Sequence, residues 1–267
     1  MTDPVSPAPT RSLNLLSCNI LAGARVQRYH EYVTRSWASV LPTRAKQDNL
    51  DRLARLFGPF DIIGLQEADA GSLRSGFRNQ TRYLAEAADI PFWSYQPNRP
   101  IGRLAHTANG LLSRIPPAEV LDYPLPGRIP GRGVLLSTYT IGDDTLAVAI
   151  AHLSLGAQAR ARQFDFIAEL LADYPHAVLM GDLNTDAASA EMRRLFRRTR
   201  LQPPTRPTPT FPSWHPHRAL DHILVSVELE LERVWTLDPA FSDHLPLAAE
   251  IRLPHASADL DPQRMSA

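Results

Sequence analysis

The stretch "HAVLMGDLNTD", residues 176–186, combines an apolar strand with a polar ending. Four apolar residues, 177–180, run directly into Gly181, and Asp182 and Asn184 then follow two residues apart. Side chains at positions i and i+2 of an extended chain point to the same side, so this carboxylate and this carboxamide can reach one target together. Gly, Asp and Asn are also the ordinary residues of turns, so the segment alone leaves a plain turn as the alternative.

Composition sets the first limits on what the chain can be. The 267 residues are 44% hydrophobic and 21% charged, which is enough for a sizeable core. The 28 basic and 28 acidic residues give no net charge, which excludes a global basic field that would attract nucleic acid or membrane. Cys18 is the only cysteine, which excludes an intrachain disulfide framework and fits a reducing compartment.

Neither a signal peptide nor a membrane span is predicted. The start, "MTDPVSPAPTR", has no apolar core and no basic segment before one. An uninterrupted run of about 18 apolar residues, the length that spans a bilayer, does not occur. We therefore expect a soluble, cytoplasmic protein.

The pattern of apolar residues predicts one domain over residues 12–253. The polar ends, 1–11 and 254–267, are expected to be a disordered N-terminus and a flexible C-terminal tail. Short apolar runs predict strands at 13–20, 61–67, 108–114, 133–140, 145–155 and 244–253, with two strands or a hairpin within 219–237. Helical spacing of apolar residues predicts helices at 44–57, 158–174 and 187–198. Strands of this kind with helices between them indicate two packed mixed sheets with helices outside.

Polar residues repeatedly interrupt or end the predicted strands, and all of them carry a carboxylate, a carboxamide or an imidazole. They are Asn19, Glu67, Asn109, His152, Asp182, Asn184, Asp221, His222, Asp243 and His244. Such a group beside buried surface costs free energy unless it has a partner. One of them alone would be a cap or a turn, whereas ten indicate a convergent site along one rim of the sheets.

These residues stand in motifs that resemble the endonuclease/exonuclease/phosphatase superfamily over roughly residues 12–253. The motifs are, in order, Asn19, "LQE" with Glu67, "NGLLSR", "AHLSLG" with His152, "GDLN", "TFPSWHPHRALDHILVS" and "SDHLPL". The resemblance implies an α/β fold, a four-layer α/β sandwich. In that fold two mixed β-sheets pack face to face and helices cover both outer faces.

The resemblance also implies a divalent-metal site. Oxygen-rich ligands without a cage of Cys or His suit a hard cation, above all Mg²⁺, or Mn²⁺ in its place. Glu67 is expected to be the principal metal ligand, with Asn19 supporting it. Asp243 is expected to approach the same ion directly or through water. Taken singly, Glu67 could be a charge at a helix start and Asn19 a cap at a strand end.

Catalytic roles follow from the same resemblance. Asp182 is expected to hold or activate the attacking water, while Asn184 donates hydrogen bonds to the phosphoryl group or the water. Asp221 is expected to orient His244, which acts as acid or base or binds the scissile phosphate. His152 is expected to contact phosphate or to protonate the leaving oxygen.

Asn109 and His106 are expected to bind substrate. Asn109 belongs to the "NGLLSR" motif, and His106 stands just before that motif, where it could line a substrate cleft. For a histidine in a loop, the common alternative is a solvated side chain without function. His222 is expected to be structural.

The expected function is Mg²⁺-dependent hydrolysis of a phosphoester, in the first place a phosphodiester, by in-line attack of activated water. Nucleic acid and a small phosphorylated compound or phospholipid headgroup are equally compatible substrates. One alternative is a DNA repair-type endonuclease or exonuclease. The other is a catalytically silent binding module on the same fold, which the retention of the metal and base residues disfavours.

Two basic segments bear on the choice of substrate. The predicted helix "AEMRRLFRRTRL" places four arginines on one face, either as a solvated surface or as a grip on a polyanion. The segment "RVQRYHEYVTRSWASVLPTR", residues 25–44, mixes arginine with aromatic residues that can stack on bases or simply pack a long connection onto the sheet. The sequence leaves the oligomeric state open.

Overall fold

The computed structural model describes residues 12–24, 42–101, 104–127, 131–238 and 241–253. The two predicted chain ends, 1–11 and 254–267, and most of the segment 25–44 lie outside the described residues. The described strands are β1 (Ser12–Asn19), β2 (Ile62–Asp69), β3 (Phe92–Ile101), β4 (Ala105–Ser113), β5 (Glu119–Pro124), β6 (Gly133–Ile141), β7 (Asp144–His152), β8 (His176–Asp182), β9 (Asp221–Val225), β10 (Glu230–Thr236) and β11 (Leu247–Arg252). The described α-helices are α1 (Arg44–Leu56), α2 (Gln80–Ala87), α3 (Ala157–Leu170) and α4 (Ala190–Arg198).

The strands form two mixed sheets. The first has six strands in the order β10-β11-β1-β2-β4-β3, and the second has five in the order β5-β6-β7-β8-β9. β1 runs parallel to β2, and β7 runs parallel to β8, while the other described pairs are antiparallel. Both parallel pairs lie inside their sheets, where a sheet is covered on both faces.

Three apolar layers separate and cover the sheets. The middle layer lies between them and joins Leu15 and Ile62 of the first sheet to Val148 and Met180 of the second. Helices α3 and α4 pack on the outer face of the second sheet through residues such as Phe164. Helices α1 and α2 cover the first sheet in the same way. The predicted four-layer α/β sandwich is therefore confirmed. Each fully buried apolar side chain in these layers contributes about 1.5–3 kcal/mol to folding.

Three elements were not predicted from the sequence. Strands β3 and β5 are the outermost strands at one end of their sheets, and α2 is a short helix between β2 and β3. Asn79 caps α2, because its side chain accepts a hydrogen bond from the backbone N–H of Arg82. Among the described helices, none is both long enough and apolar enough to span a bilayer.

Candidate active site

Three neighbouring strands of the second sheet place a polar side chain at the same rim. His152 ends β7, Asp182 ends β8 and Asp221 begins β9. In the strand register His152 lies opposite Asp182, and Asp182 lies opposite Asp221. Residues directly opposite each other on adjacent strands point to the same face, so the three side chains form one row.

Gly181 lets β7 and β8 approach each other at the start of this row. Its φ of 145° is a conformation that residues with a side chain rarely adopt. A Cβ atom built on Gly181 would lie 1.8 Å from the carbonyl oxygen of Ala151 on the neighbouring strand. Only glycine fits here, and the position of the following residue, Asp182, depends on that fit.

The chain turns immediately after Asp182, so the extended geometry that the i, i+2 spacing predicts does not continue to Asn184. Asn184 has a left-handed backbone with φ of 55°, and its N–H donates to Asp182 Oδ1 at 3.0 Å. This bond closes a turn in which an aspartate side chain replaces a backbone carbonyl. The Asn184 side-chain amide donates to the carbonyl oxygen of Leu153 at 3.0 Å, which holds the β7 and β8 ends together.

The first sheet supplies Asn19 and Glu67. Asn19 ends β1, and its amide donates to Asp182 Oδ2 at 3.2 Å across the two sheets. Glu67 lies where the pairing of β2 with β4 shifts register between Leu65 and Ala68, and its φ is 57°. A bulge of this kind redirects a side chain out of the regular alternation. Glu67 is accordingly 27% exposed in an otherwise buried strand.

His244 enters from the loop before β11. Its Nδ1 donates to Asp221 Oδ2 at 2.7 Å, and the Thr210 hydroxyl donates to the same carboxylate oxygen. The ring of Phe211 packs against the His244 ring with centroids 4.9 Å apart. The Ser242 hydroxyl accepts from the His244 backbone N–H and donates to the Asn19 carbonyl, which ties this loop to the end of β1.

Asp182 is the centre of the resulting cluster. Its Oδ2 lies 3.2 Å from Asn19 Nδ2, 3.4 Å from His152 Nε2 and 3.8 Å from His244 Nε2. His152 Nε2 also lies 3.9 Å from Glu67 Oε1. Five segments that are distant in sequence thus meet within hydrogen-bonding or ion-pairing range of one another.

The charges of the cluster interact strongly because little solvent reaches them. Burial, together with the negative charges of Asp221 and Glu67, raises the pKa of Asp182 to about 7, even though the positive charge of His244 lowers it. For His244, burial lowers the pKa, but Asp221 and then Asp182 outweigh that effect and raise it to about 10. A protonated imidazole therefore faces a carboxyl group whose pKa is close to neutral pH.

His152 has the opposite preference. Burial lowers its pKa well below the ordinary value, and the positive charges of Arg132 and His244 lower it further. His152 is therefore neutral at pH 7, so it can accept one hydrogen bond and donate another.

The residues on the Glu67 side fit a hard cation. Burial raises the pKa of Glu67, and the negative charge of Asp243 raises it further. Asn19 lies at the same rim, and its side-chain oxygen accepts from the Leu21 N–H at 3.2 Å. Carboxylate and carboxamide oxygens are the ligands that Mg²⁺ prefers. Asp182, Asp221 and His244 also present ligand atoms within 4.8 Å of one another, close enough to share an ion. Within that group, Asp221 and His244 already bond to each other.

The two predicted substrate-binding residues occupy different places. Asn109 is fully buried on β4, and its amide donates to Gln96 Oε1 and to the carbonyl oxygen of Gly133 on the second sheet. His106 is partly exposed on the same strand, and its backbone N–H donates to Asp69 Oδ2 at 3.3 Å. Substrate contact by Asn109 or His106 stays a prediction. His222 is buried, and its Nε2 lies 2.8 Å from the carbonyl oxygen of Thr185.

A pocket of about 550 Å³ opens beside the cluster, and we call it the side pocket. Glu67 and His152 form one side of it, and the residues at the start of α3 form the other. Arg132 also lines it, which the sequence reasoning missed because this residue stands in the Pro- and Gly-rich segment "YPLPGRIPGRG". An isolated basic residue between two glycines in such a segment was the only available signal.

Comparison with known proteins agrees with this geometry. Residues 14–244 match the model of the Endonuclease/Exonuclease/phosphatase family. No curated protein sequence matches the chain. An endonuclease/exonuclease/phosphatase from Beutenbergia cavernae is similar in structure with a TM-score of 0.71 and 20% identity, covering 93% of this chain and 73% of that one.

Two further solved structures show the same fold. A mannosyl-6-phosphatase from Bacteroides thetaiotaomicron has a TM-score of 0.65 at 18% identity, covering 90% of this chain and 99% of that one. The human Nocturnin catalytic domain with bound sulfate has a TM-score of 0.66 at 16% identity, covering 90% of this chain and 94% of that one. With its family motifs joined at one rim of a two-sheet sandwich and 231 residues matched by the family model, the chain belongs to the endonuclease/exonuclease/phosphatase family of hydrolytic phosphoesterases.

Proposed function

We propose that the protein is a divalent-metal-dependent hydrolase that cleaves a phosphodiester by in-line attack of water. The observation that carries this proposal is the cluster around Asp182, in which a carboxyl group with a near-neutral pKa lies between a neutral and a protonated imidazole. Such a set can take a proton from water and stabilise a phosphoryl group as its charge changes.

Asp182 is the proposed base. Its Oδ1 is held by the N–H of Asn184, so Oδ2 is the oxygen that faces the imidazoles of His152 and His244. A water bonded to Oδ2 would be oriented by a carboxylate that the Asn184 N–H and the Asn19 amide hold in place. The side-chain amide of Asn184 uses one hydrogen on the Leu153 carbonyl and would use the other to orient the water or a phosphoryl oxygen.

His244 is the proposed phosphate-binding group. Asp221 keeps its ring protonated and fixes the direction of Nε2, while Thr210 holds Asp221. A positive imidazole buried beside the phosphoryl oxygens stabilises the negative charge of the transition state. His152 is neutral, and its ring N–H would donate a hydrogen bond to the leaving oxygen or to a phosphoryl oxygen.

Glu67, with Asn19 and Asp243 beside it, would hold the metal, which we propose is Mg²⁺ or Mn²⁺. When bound, the cation supplies neutralisation of charge on the phosphoryl and leaving oxygens. The β2 bulge at Glu67, which takes this carboxylate out of the regular alternation of the strand, supports this proposed role.

The proposal is tested with bis(p-nitrophenyl) phosphate, with p-nitrophenyl phosphate as the monoester arm because one similar structure is a phosphatase. The wild type is expected to hydrolyse the diester with Mg²⁺ or Mn²⁺ and to lose activity in EDTA. The variants Glu67→Gln and His244→Asn are expected to lose about 10²–10⁴ of kcat while remaining folded. Glu86→Gln, which removes an exposed carboxylate from α2, is the matched control and should retain full activity. Undiminished turnover in EDTA, or in both site variants, would refute the proposal.

A nuclease acting on long nucleic acid has less support. Arg194 and Arg198 of α4 both form ion pairs with Asp165 of α3, and Arg198 also pairs with Glu169. The basic face considered from the sequence is thus partly neutralised by the neighbouring helix.

A further inference from the structure

The side pocket holds basic charge that the cluster around Asp182 does not use. Arg132 and Arg162 both line it, Arg132 half-buried and Arg162 exposed. Within the described part of the chain, neither guanidinium forms an ion pair or a side-chain hydrogen bond. Arg160, on the same helix as Arg162, shows the contrast, because its guanidinium pairs with Glu191 at 2.7 Å.

Arg132 lies in a position that costs free energy without a ligand. Burial lowers the pKa of its guanidinium, and the carboxylates of Glu67 and Asp182 counteract that only at a distance. A half-buried cation without a direct partner is unfavourable, and an anion in the pocket would bond to its planar donors. Because Arg132 faces the same pocket as Glu67 and His152, such an anion would belong to a molecule that also reaches the reactive centre.

The start of α3 favours the same sign of charge. Helix α3 begins after Gly156, and no side chain caps its first turn. The N–H groups of that turn therefore point toward the pocket wall formed by Gly156 and Gln158, and the helix end carries a partial positive charge. This effect adds to the two arginines, which remain the main contributors.

The volume of the side pocket and its uncharged polar side chains indicate what the rest of the ligand is like. A volume of about 550 Å³ lies within the range of about 300–1,000 Å³ that is usual for small-molecule sites. Asn98, Thr107 and Gln158 contribute neutral hydrogen-bonding side chains to the wall. These groups suit hydroxyls on a compact, sugar-like body.

We infer that the substrate is a compact, hydroxylated phosphoester with a second phosphate, and that Arg132 and Arg162 bind this second phosphate in the side pocket. The inference rests on the proposed function, since it places the scissile phosphate at His244 and Asp182. Substrate specificity would then depend on the positive charge of the two arginines in the side pocket, beside α3, and not on an extended basic groove.

The test uses two substrates that differ by one phosphate, the p-nitrophenyl ester of uridine 5′-phosphate and the same ester with a 3′-phosphate, both of which keep the 2′-hydroxyl of the sugar. Water cleaves the bond between phosphorus and the p-nitrophenyl oxygen in both, releasing p-nitrophenol and a nucleotide. The wild type is expected to prefer the bisphosphate by about tenfold or more in kcat/KM. Arg132→Gln and Arg162→Gln are expected to reduce that preference toward one, mainly through KM. Arg197→Gln, an exposed arginine of α4, is the matched control and should leave the preference unchanged.

The outcomes separate this inference from the proposed function. If the wild type cleaves both esters equally and neither arginine variant changes the ratio, the inference is wrong while the proposed hydrolase stands. If a single-stranded oligonucleotide of about 20 residues is cleaved faster than the bisphosphate, the substrate is a polymer and the compact substrate is also ruled out. If no phosphoester is cleaved with any divalent metal, the proposed function fails and the inference fails with it.

Discussion

Replacing Gly181 by alanine should damage stability and activity together. The new Cβ atom would lie 1.8 Å from the Ala151 carbonyl oxygen, whereas real contacts of this kind stay above 3.0 Å. The ends of β7 and β8 must therefore separate by about 1 Å, which amounts to overpacking in a close-packed interior. Overpacking costs about 1–3 kcal/mol, and an alanine forced to a φ near 145° costs about 1–3 kcal/mol more.

The expected loss is thus about 2–6 kcal/mol of the free energy of unfolding, measured by urea denaturation followed through tryptophan fluorescence. In the fraction that remains folded, a shift of Asp182 by about 1 Å should lower kcat by about 100-fold. Gly58→Ala is the matched control, because a Cβ there meets no atom within 4 Å, and it should stay within about 0.5 kcal/mol of the wild type. A Gly181→Ala protein as stable and as active as the wild type would refute the close-approach explanation.

Three further predictions concern single side chains. Glu191→Gln should lower the free energy of unfolding by about 2–3 kcal/mol at pH 7, since its side chain is only 10% exposed and that of its partner Arg160 only 9%. Glu86→Gln, on an exposed pair, should change it by less than about 0.5 kcal/mol. Burial raises the pKa of Glu191, but its hydrogen bonds outweigh burial and hold that pKa below 4.5. The stabilisation by Glu191 is therefore present above pH 4.5 and is lost as the pH falls further. Equal urea midpoints of Glu191→Gln and wild type at pH 7 would contradict this contribution. Thr210→Val removes a hydrogen bond to Asp221 and should lower kcat by about tenfold with intact circular dichroism, and an unchanged kcat would show that this bond is dispensable. Asn184→Ala should lower kcat by about 100-fold or more in the p-nitrophenyl assay. A rise in KM with an unchanged kcat would argue against a role of Asn184 in the transition state.

The parts of the fold that were predictable are those with strong apolar patterns. Strands β1, β2, β7 and β8 are buried on both faces, so their runs of apolar residues were recognisable, and the polar residues that end them were conspicuous. By contrast, β3 contains Pro97 and Pro100, and β5 ends at Pro124. Proline is tolerated at the edge of a sheet, where both strands lie, but it weakens any prediction of a strand from sequence.

The site was predictable in its membership more than in its geometry. Sequence order could not show that His152, Asp182 and Asp221 share one register row, because strand pairing is decided by the whole sheet. The direction of Asn184 depends on a turn that the Asp182 side chain closes. Arg132 could not be placed because a loop residue acquires its surroundings from segments far away in the chain.

The cluster is divided between two sheets that, over the described residues, share no backbone ladder with each other. Asn19 and Glu67 belong to one sheet, while His152, Asp182 and Asp221 belong to the other, with side-chain packing as the spacer between them. The alignment of the catalytic groups therefore depends on the thickness of the apolar layer between the sheets, about 10 Å. We expect warming to loosen this apolar layer and move the reactive groups apart while each sheet is still folded. The temperature optimum for turnover should therefore fall below the melting temperature.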